Sequence, residues 1–206
     1  KSSLVNALLG REQNIVTPIA GTTRDPLHAR FNVFGFDVIL LDTAGIRRKA
    51  KVQEDIEFYS VLRSVRAIEE SDVCLLMIDA ADGVQHQDLH IFSLILKNSK
   101  GVVIVVNKWD TIGKETNTMK EFEADVRKKL EPFTDVPVVF TSVTEKQRIH
   151  KAMELAMQVY EDRKRRIPTH ELNELMLPEI EHYPPPALKG KYVKIKFCTQ
   201  LPTRGT

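Results

Sequence analysis

Asn107-Lys108-Trp109-Asp110 stands directly after the apolar run 102–106, and its residue types suit one task. An ionised aspartate accepts two N–H bonds side by side, and guanine offers that pair from N1 and its exocyclic amine. Adenine does not. The asparagine can hydrogen-bond the base and tie neighbouring loops together, while the lysine stem covers the ring face. The sequence N-K-x-D after a buried strand therefore reads as a guanine-recognition loop, against the plainer reading of a polar strand-end turn. Thr141-Ser142-Val143 closes a second apolar run, 136–140, and places a backbone N–H where a guanine oxygen can accept it. By itself that second motif has little specificity.

The phosphate end of such a ligand needs other groups. Asp42-Thr43-Ala44-Gly45 follows the apolar Val38-Ile39-Leu40-Leu41. An aspartate there is placed to hold Mg²⁺ through water, and the glycine lets a backbone N–H approach a γ-phosphate. D-x-x-G also recurs as an ordinary strand-end turn. Lys1-Ser2-Ser3 begins a helix, and Lys1 and Ser2 fit the last two positions of G-x-x-x-x-G-K-[ST]. In that loop the lysine reaches the β- and γ-phosphates and the hydroxyl binds Mg²⁺ at a helix N-terminus. On this reading the glycines lie upstream of Lys1. Gly21-Thr22-Thr23-Arg24-Asp25 precedes the first strand, and a threonine there can close over the γ-phosphate and add a second hydroxyl to Mg²⁺.

The order K-S, T-T-R-D, D-T-A-G, N-K-W-D, T-S is far more specific than any one member. It assigns nucleotide binding to Lys1, Ser2, Ser3, Thr22, Thr23, Asp42, Gly45, Asn107, Lys108, Asp110, Thr141, Ser142 and Val143. Lys1, Thr23 and Gly45 are the catalytic candidates, and Ser2, Thr23 and Asp42 the Mg²⁺ ligands. The chemistry is positioning plus electrostatics, as phosphoryl transfer requires.

Elements that could position these groups follow from the periodicity. Leu4, Ala7 and Leu8 share a helical face, with Gly10 at its end. Two strands fall within 29–42 around a Phe34-Gly35-Phe36 turn, and a helix follows over 52–70. Continuous apolar runs at 73–79 and 101–106 predict strands buried on both faces, separated by a helix over 87–97. A charged helix over 118–130, a strand over 136–141 and a long helix over 146–166 complete the pattern. Alternating strands and helices predict a doubly wound α/β fold with an open, mostly parallel sheet. Ligands of such sheets sit at the carboxyl ends of the strands, where every motif above lies. The pattern changes near 167. A basic run, Arg163 to Arg166, leads to a helix capped by Thr169, then to Pro184-Pro185-Pro186 and a Lys-alternating strand over 191–197.

Composition bounds the alternatives. The 206 residues are 42% hydrophobic and 28% charged, enough apolar material for a core and far from a disordered chain. Thirty Lys+Arg against twenty-eight Asp+Glu give a net charge of +2, too small an excess to argue for a non-specific nucleic-acid binder. No apolar run approaches the ~18–20 residues that span a bilayer. Cys74 and Cys198, without a C-x-x-C, suggest packed thiols in a reducing compartment, and a cytoplasmic location is expected.

The joint motifs resemble the translation-factor-like class of P-loop GTPases, and more narrowly the second GTPase domain of the Der (EngA) family. The narrower resemblance rests on Gly21 to Asp25, Asp42-Thr43-Ala44-Gly45-Ile46-Arg47-Arg48, and Glu171-Leu172-Asn173 through Pro184-Pro185-Pro186-Ala187 to Gly190-Lys191. It covers essentially the whole chain. It implies a GTPase domain over 1–166, lacking its first strand and most of its P-loop, and the beginning of a KH-like domain over 167–206. It further implies Mg²⁺-dependent GTP hydrolysis and a role in maturation of the large ribosomal subunit. The implied partners are GTP and GDP, that subunit's rRNA and proteins, and a first GTPase domain in the same polypeptide. A monomer without a membrane partner is expected, and residues 1–206 alone are expected to hold GTP poorly. Ile46 stands where many small GTPases carry a glutamine that orients water. Members with a hydrophobic residue there commonly use a bound potassium ion, so K⁺ is a further expected cofactor.

Three departures from the family stand out. Val143 replaces the usual alanine, and no glycine follows in Thr144-Glu145-Lys146-Gln147; the 167–206 segment shows no G-x-x-G. A non-enzymatic nucleotide- or RNA-binding scaffold is the alternative reading. His86 and His90, spaced i, i+4, read as a solvated helix face because H-Q-x-x-H lacks a third ligand. Arg47-Arg48-Lys49 with Lys51, and the alternating Lys191, Lys194 and Lys196, read either as solvated faces or as RNA contacts.

Overall fold

The computed structural model describes residues 4, 7, 8, 29–33, 35–41, 65–113, 118–188 and 190–201. The chain divides into two compact units, 1–160 and 161–206.

In the first unit, β1 (Ala29–Val33) and β2 (Phe36–Leu40) pair antiparallel with Val33 opposite Phe36. Gly35 takes the turn at φ +81°, a conformation in which any Cβ would be strained. Then β3 (Val73–Asp79), β4 (Gly101–Asn107) and β5 (Val138–Phe140) form a parallel sheet in the order β3-β4-β5. Helices α1 (His86–Lys97), α2 (Thr118–Lys129) and α3 (Ile149–Lys164) alternate with the strands. The mostly parallel α/β arrangement expected from the periodicity is therefore present.

Strand β4 is the centre of the core. Val103, Ile104, Val105 and Val106 are wholly buried, because side chains alternate across the pleat and both faces are covered. Ile104 and Val106 pack with Ile78, Phe92, Ile95, Val126 and Phe140, on the side of α1 and α2. Val103 and Val105 pack with Val139 and Ala152, on the side of α3. Leu4 and Leu8, both helical, are buried with Phe31, Ile149 and Met153, which accounts for the apolar face read at the chain's start.

Several boundaries differ from the sequence reading. The strand over 136–141 shortens to Val138–Phe140, and α3 begins at Ile149 rather than 146. The cause of the second is local. Lys146 and Arg148 adopt φ of 55° and 56°, and Ser142 and Gln147 pair across the intervening loop, so a helix cannot start there. Of the helix expected over 52–70, residues 65–70 are helical; the rest, with Gly10 and Phe34, lies outside the described residues.

The second unit contains α4 (Thr169–His182). Thr169 is its first helical residue rather than its cap; Pro168, at φ −53° and ψ 135°, holds the cap position. Residues 191–197 form no ladder, which corrects the strand expected there: alternation alone makes no strand without a partner to bond. Among the described residues of this unit the β pairing is a single isolated bridge, Leu188 to Lys191. Side-chain amides hold the following residues instead. Asn173 accepts from the Cys198 N–H at 2.8 Å and donates to its carbonyl at 2.8 Å, as a strand's backbone would. Gln200 accepts from the Ile167 N–H at 2.9 Å and donates to the Arg165 carbonyl at 3.0 Å. No described helix is long and apolar enough to cross a membrane.

Candidate functional site

Parallel pairing aligns Asp79 of β3 with Asn107 of β4, so two polar strand ends meet at one edge. The Asn107 carbonyl accepts from the Ala80 N–H at 2.9 Å. On the other side, the Thr141 N–H donates to the Val106 carbonyl at 2.7 Å and the Trp109 N–H to the Thr141 carbonyl at 3.1 Å. Strands β3, β4 and β5 thus deliver 79–81, 107–110 and 141–143 to a common carboxyl-terminal edge.

Asn107 ties these loops as the sequence suggested. Its Oδ1 accepts from the Thr141 hydroxyl at 3.2 Å and from the Val143 N–H at 3.3 Å. Two donors on one oxygen fix the amide's orientation and leave its NH₂ to donate elsewhere. Thr141 and Ser142 are buried, at 0% and 1% exposure, so the partners are held from behind. The Ser142 hydroxyl accepts from the Glu145 N–H at 3.0 Å and closes the loop without a glycine.

Lys108 sits in the left-handed region, φ 62° and ψ 32°, before a short 3₁₀ turn, Trp109–Thr111. That backbone flip points successive side chains in different directions. Trp109 turns inward, 7% exposed, against Phe140 at 4.5 Å and Phe122 at 5.5 Å between ring centroids, both edge to face. Asp110 faces solvent, and among the described residues no hydrogen bond or ion pair engages its carboxylate. The Lys108 ammonium meets the Asp79 carboxylate at 2.5 Å. The other Asp79 oxygen accepts from the Ala81 N–H at 3.1 Å.

This pairing shifts both groups. The Lys108 hydrogen bond, and then the Ala81 N–H, hold Asp79 below the ordinary 3.8. Asp79 in turn raises Lys108, chiefly through the same hydrogen bond. A depressed carboxylate contributes stability above its unfolded value and loses it as pH falls through the folded one, so the pair is intact above 3.8. Sequence reading missed Asp79. Its only signal was an acidic residue ending the strand beside the one that ends at Asn107.

Lys1, Ser2, Ser3, Thr22, Thr23, Asp42 and Gly45 lie outside the described residues, as do Ile46 and the Arg47-Arg48-Lys49 and Lys51 run. His86 and His90 are exposed on α1, and among the described residues no three His, Cys, Asp or Glu side chains could hold a metal together. Cys74 and Cys198 are half-buried thiols, less packed than the sequence suggested.

A three-stranded parallel sheet flanked by helices, with an N-K-x-D loop at its carboxyl edge, defines the P-loop GTPase class. A family model described as "50S ribosome-binding GTPase" matches residues 1–108, and one for the elongation factor Tu GTP binding domain matches 57–162. A third, described as the KH-domain-like C-terminal part of EngA bacterial GTPases, matches 166–205. The chain belongs to the 50S ribosome-binding GTPase family and, within it, to the Der (EngA) family.

GTPase Der of Christiangramia forsetii is 62% identical over 203 residues, covering 98% of this chain and 47% of that protein. GTPase Der of Bacteroides fragilis is likewise 62% identical, covering 98% and 46%. The chain thus spans about half the length of the curated relatives it matches. Among solved structures, Aquifex aeolicus Era bound to GDP.AlF4- matches with TM-score 0.58 and 30% identity, over 77% of this chain and 52% of that one. Era in complex with MgGDPNP and a segment of 16S ribosomal RNA matches with TM-score 0.58 and 31% identity, over the same shares.

Proposed function

We propose that the chain is the GTP-binding and GTP-hydrolysing part of a switch protein that acts in maturation of the large (50S) ribosomal subunit. The carrying observation is the 107–110 loop. Asn107 is locked through Oδ1, which leaves its NH₂ to donate, and among the described residues no hydrogen bond or ion pair engages the exposed Asp110 carboxylate three residues on. That set suits a guanine edge: Asp110 accepts from N1–H and the exocyclic amine, the Asn107 amide donates to the base, and Lys108 covers its face. Buried Thr141 and Ser142 hold the Val143 segment beside the guanine oxygen.

At the phosphate end the roles rest on motif order. Lys1 neutralises β/γ charge, and Ser3 and Thr22 are further nucleotide-binding candidates. Gly45 brings its N–H to the γ-phosphate, and Thr23 closes over it. Ser2, Thr23 and Asp42 are all hard oxygen donors, a set that fits Mg²⁺. When bound there, Mg²⁺ offsets charge on the β- and γ-phosphate oxygens.

The family description naming the 50S subunit supports the ribosomal part of the proposal, and the Era complex with ribosomal RNA supports RNA as a contact. The proposed partners are GTP and GDP, large-subunit rRNA and proteins, and a first GTPase domain in the same polypeptide. The protein is proposed to work as a cytoplasmic monomer.

Ile46 cannot orient water, and the motifs provide no arginine finger, so a slow intrinsic rate is expected. Potassium is the proposed aid. In the full-length protein, GTP turnover should be several-fold faster in potassium than in sodium buffer and abolished by EDTA. Equal rates in the two buffers would remove potassium from the proposal.

A further inference from the structure

We propose that Asp79 is a positioning residue for nucleotide recognition, holding Lys108 in place before the base arrives. The inference rests on the reading of 107–110 as a guanine site and extends it to a residue in a different strand.

Asp79 is itself fixed. Its backbone is the last pair of the β3–β4 ladder, opposite Asn107, and its carbonyl accepts from the Gly83 N–H at 3.0 Å. One carboxylate oxygen is held by the Ala81 N–H, which leaves the other to meet Lys108 at 2.5 Å. The receiving end is equally constrained, since Lys108 leaves β4 with a left-handed backbone and Trp109 is anchored behind it. A lysine stem has several rotamers to lose when it lies along a ring. Pairing with an immobile carboxylate removes that freedom in advance, the usual route by which preorganisation raises affinity. The pair is exposed, with 58% of the Lys108 side chain and 26% of the Asp79 side chain open, so its contribution to global stability is small. Its place at the strand ends gives it a consequence for the ligand instead.

The test uses the full-length protein carrying Asp110→Asn, with xanthosine diphosphate as the probe, so that any other guanine site stays silent. Adding Asp79→Ala should weaken xanthosine diphosphate binding about tenfold, or about 1.4 kcal/mol. Asp79→Asn, which keeps an acceptor and the Ala81 bond, should weaken it only about threefold, in line with a lost charge. In a Lys108→Ala background both effects should shrink below about twofold, because the residue through which Asp79 acts is gone. Should the alanine variant not fold, the asparagine variant carries the same comparison. Unchanged affinity, or a loss that persists in full without Lys108, overturns the proposal. If Asp110→Asn alone binds no xanthosine diphosphate, the guanine-site reading fails first and this inference with it.

Discussion

Asp110→Asn in the full-length protein should lower the affinity of this site for GDP by about two to four orders of magnitude and create affinity for xanthosine diphosphate. Two charge-assisted hydrogen bonds are at stake, at about 1.5–3 kcal/mol each. An asparagine keeps one acceptor oxygen but turns its NH₂ toward guanine's exocyclic amine, donor against donor. Xanthine carries an oxygen at that position, which the same NH₂ can satisfy. The exchange should be clean because Asp110 faces solvent and, among the described residues, no hydrogen bond or ion pair engages its carboxylate. Calorimetric titration with the two diphosphates reads both halves of the expectation. Unchanged preference for GDP would mean that the base lies elsewhere.

Trp109→Ala should have the largest effect on the fold. The ring is 7% exposed and closes a triangle with Phe122 of α2 and Phe140 of β5, themselves 5.9 Å apart. Truncating a buried tryptophan costs about 3–5 kcal/mol, and each edge-to-face pair about 0.5–1.5 kcal/mol within that. A loss of this size is a large share of a domain's stability. The variant should unfold at markedly lower denaturant and, where still folded, bind nucleotide more weakly, since the same turn carries Lys108 and Asp110. Trp109→Phe should recover most of both. Trp109 is the only tryptophan of the 206 residues, so unfolding is best followed by circular dichroism. A Trp109→Ala variant as stable as the parent would show that the turn is not held from the core.

How much of this was legible beforehand varies with the physics of each element. Strand β4 was plain because Val102 to Val106 admits no exposed face, and a polar tetrad then marks where the burial stops. The guanine loop was legible for the same reason. The link from Lys108 to Asp79 was not, because it depends on parallel register between strands separated by α1, which one sequence does not display. The start of α3 was misread because Lys146 and Arg148 take left-handed backbone without the glycine that would have announced a loop. Residues 191–197 alternate as a strand does, yet pairing decides, and among the described residues only Lys191 finds a bridge partner, Leu188. For the phosphate-side motifs, order along the chain was the whole signal.

The central claim is that guanine recognition at the 107–110 loop serves hydrolysis and not mere retention of nucleotide. Single-turnover measurement with GTP bound to a stoichiometric amount of the full-length protein, with ATP as the parallel reaction, tests it most directly. One phosphate released per occupied site from GTP, dependent on Mg²⁺ and absent with ATP, is the predicted result. Recovery of intact GTP from a site that binds it tightly would contradict the account and leave a nucleotide-binding scaffold in its place.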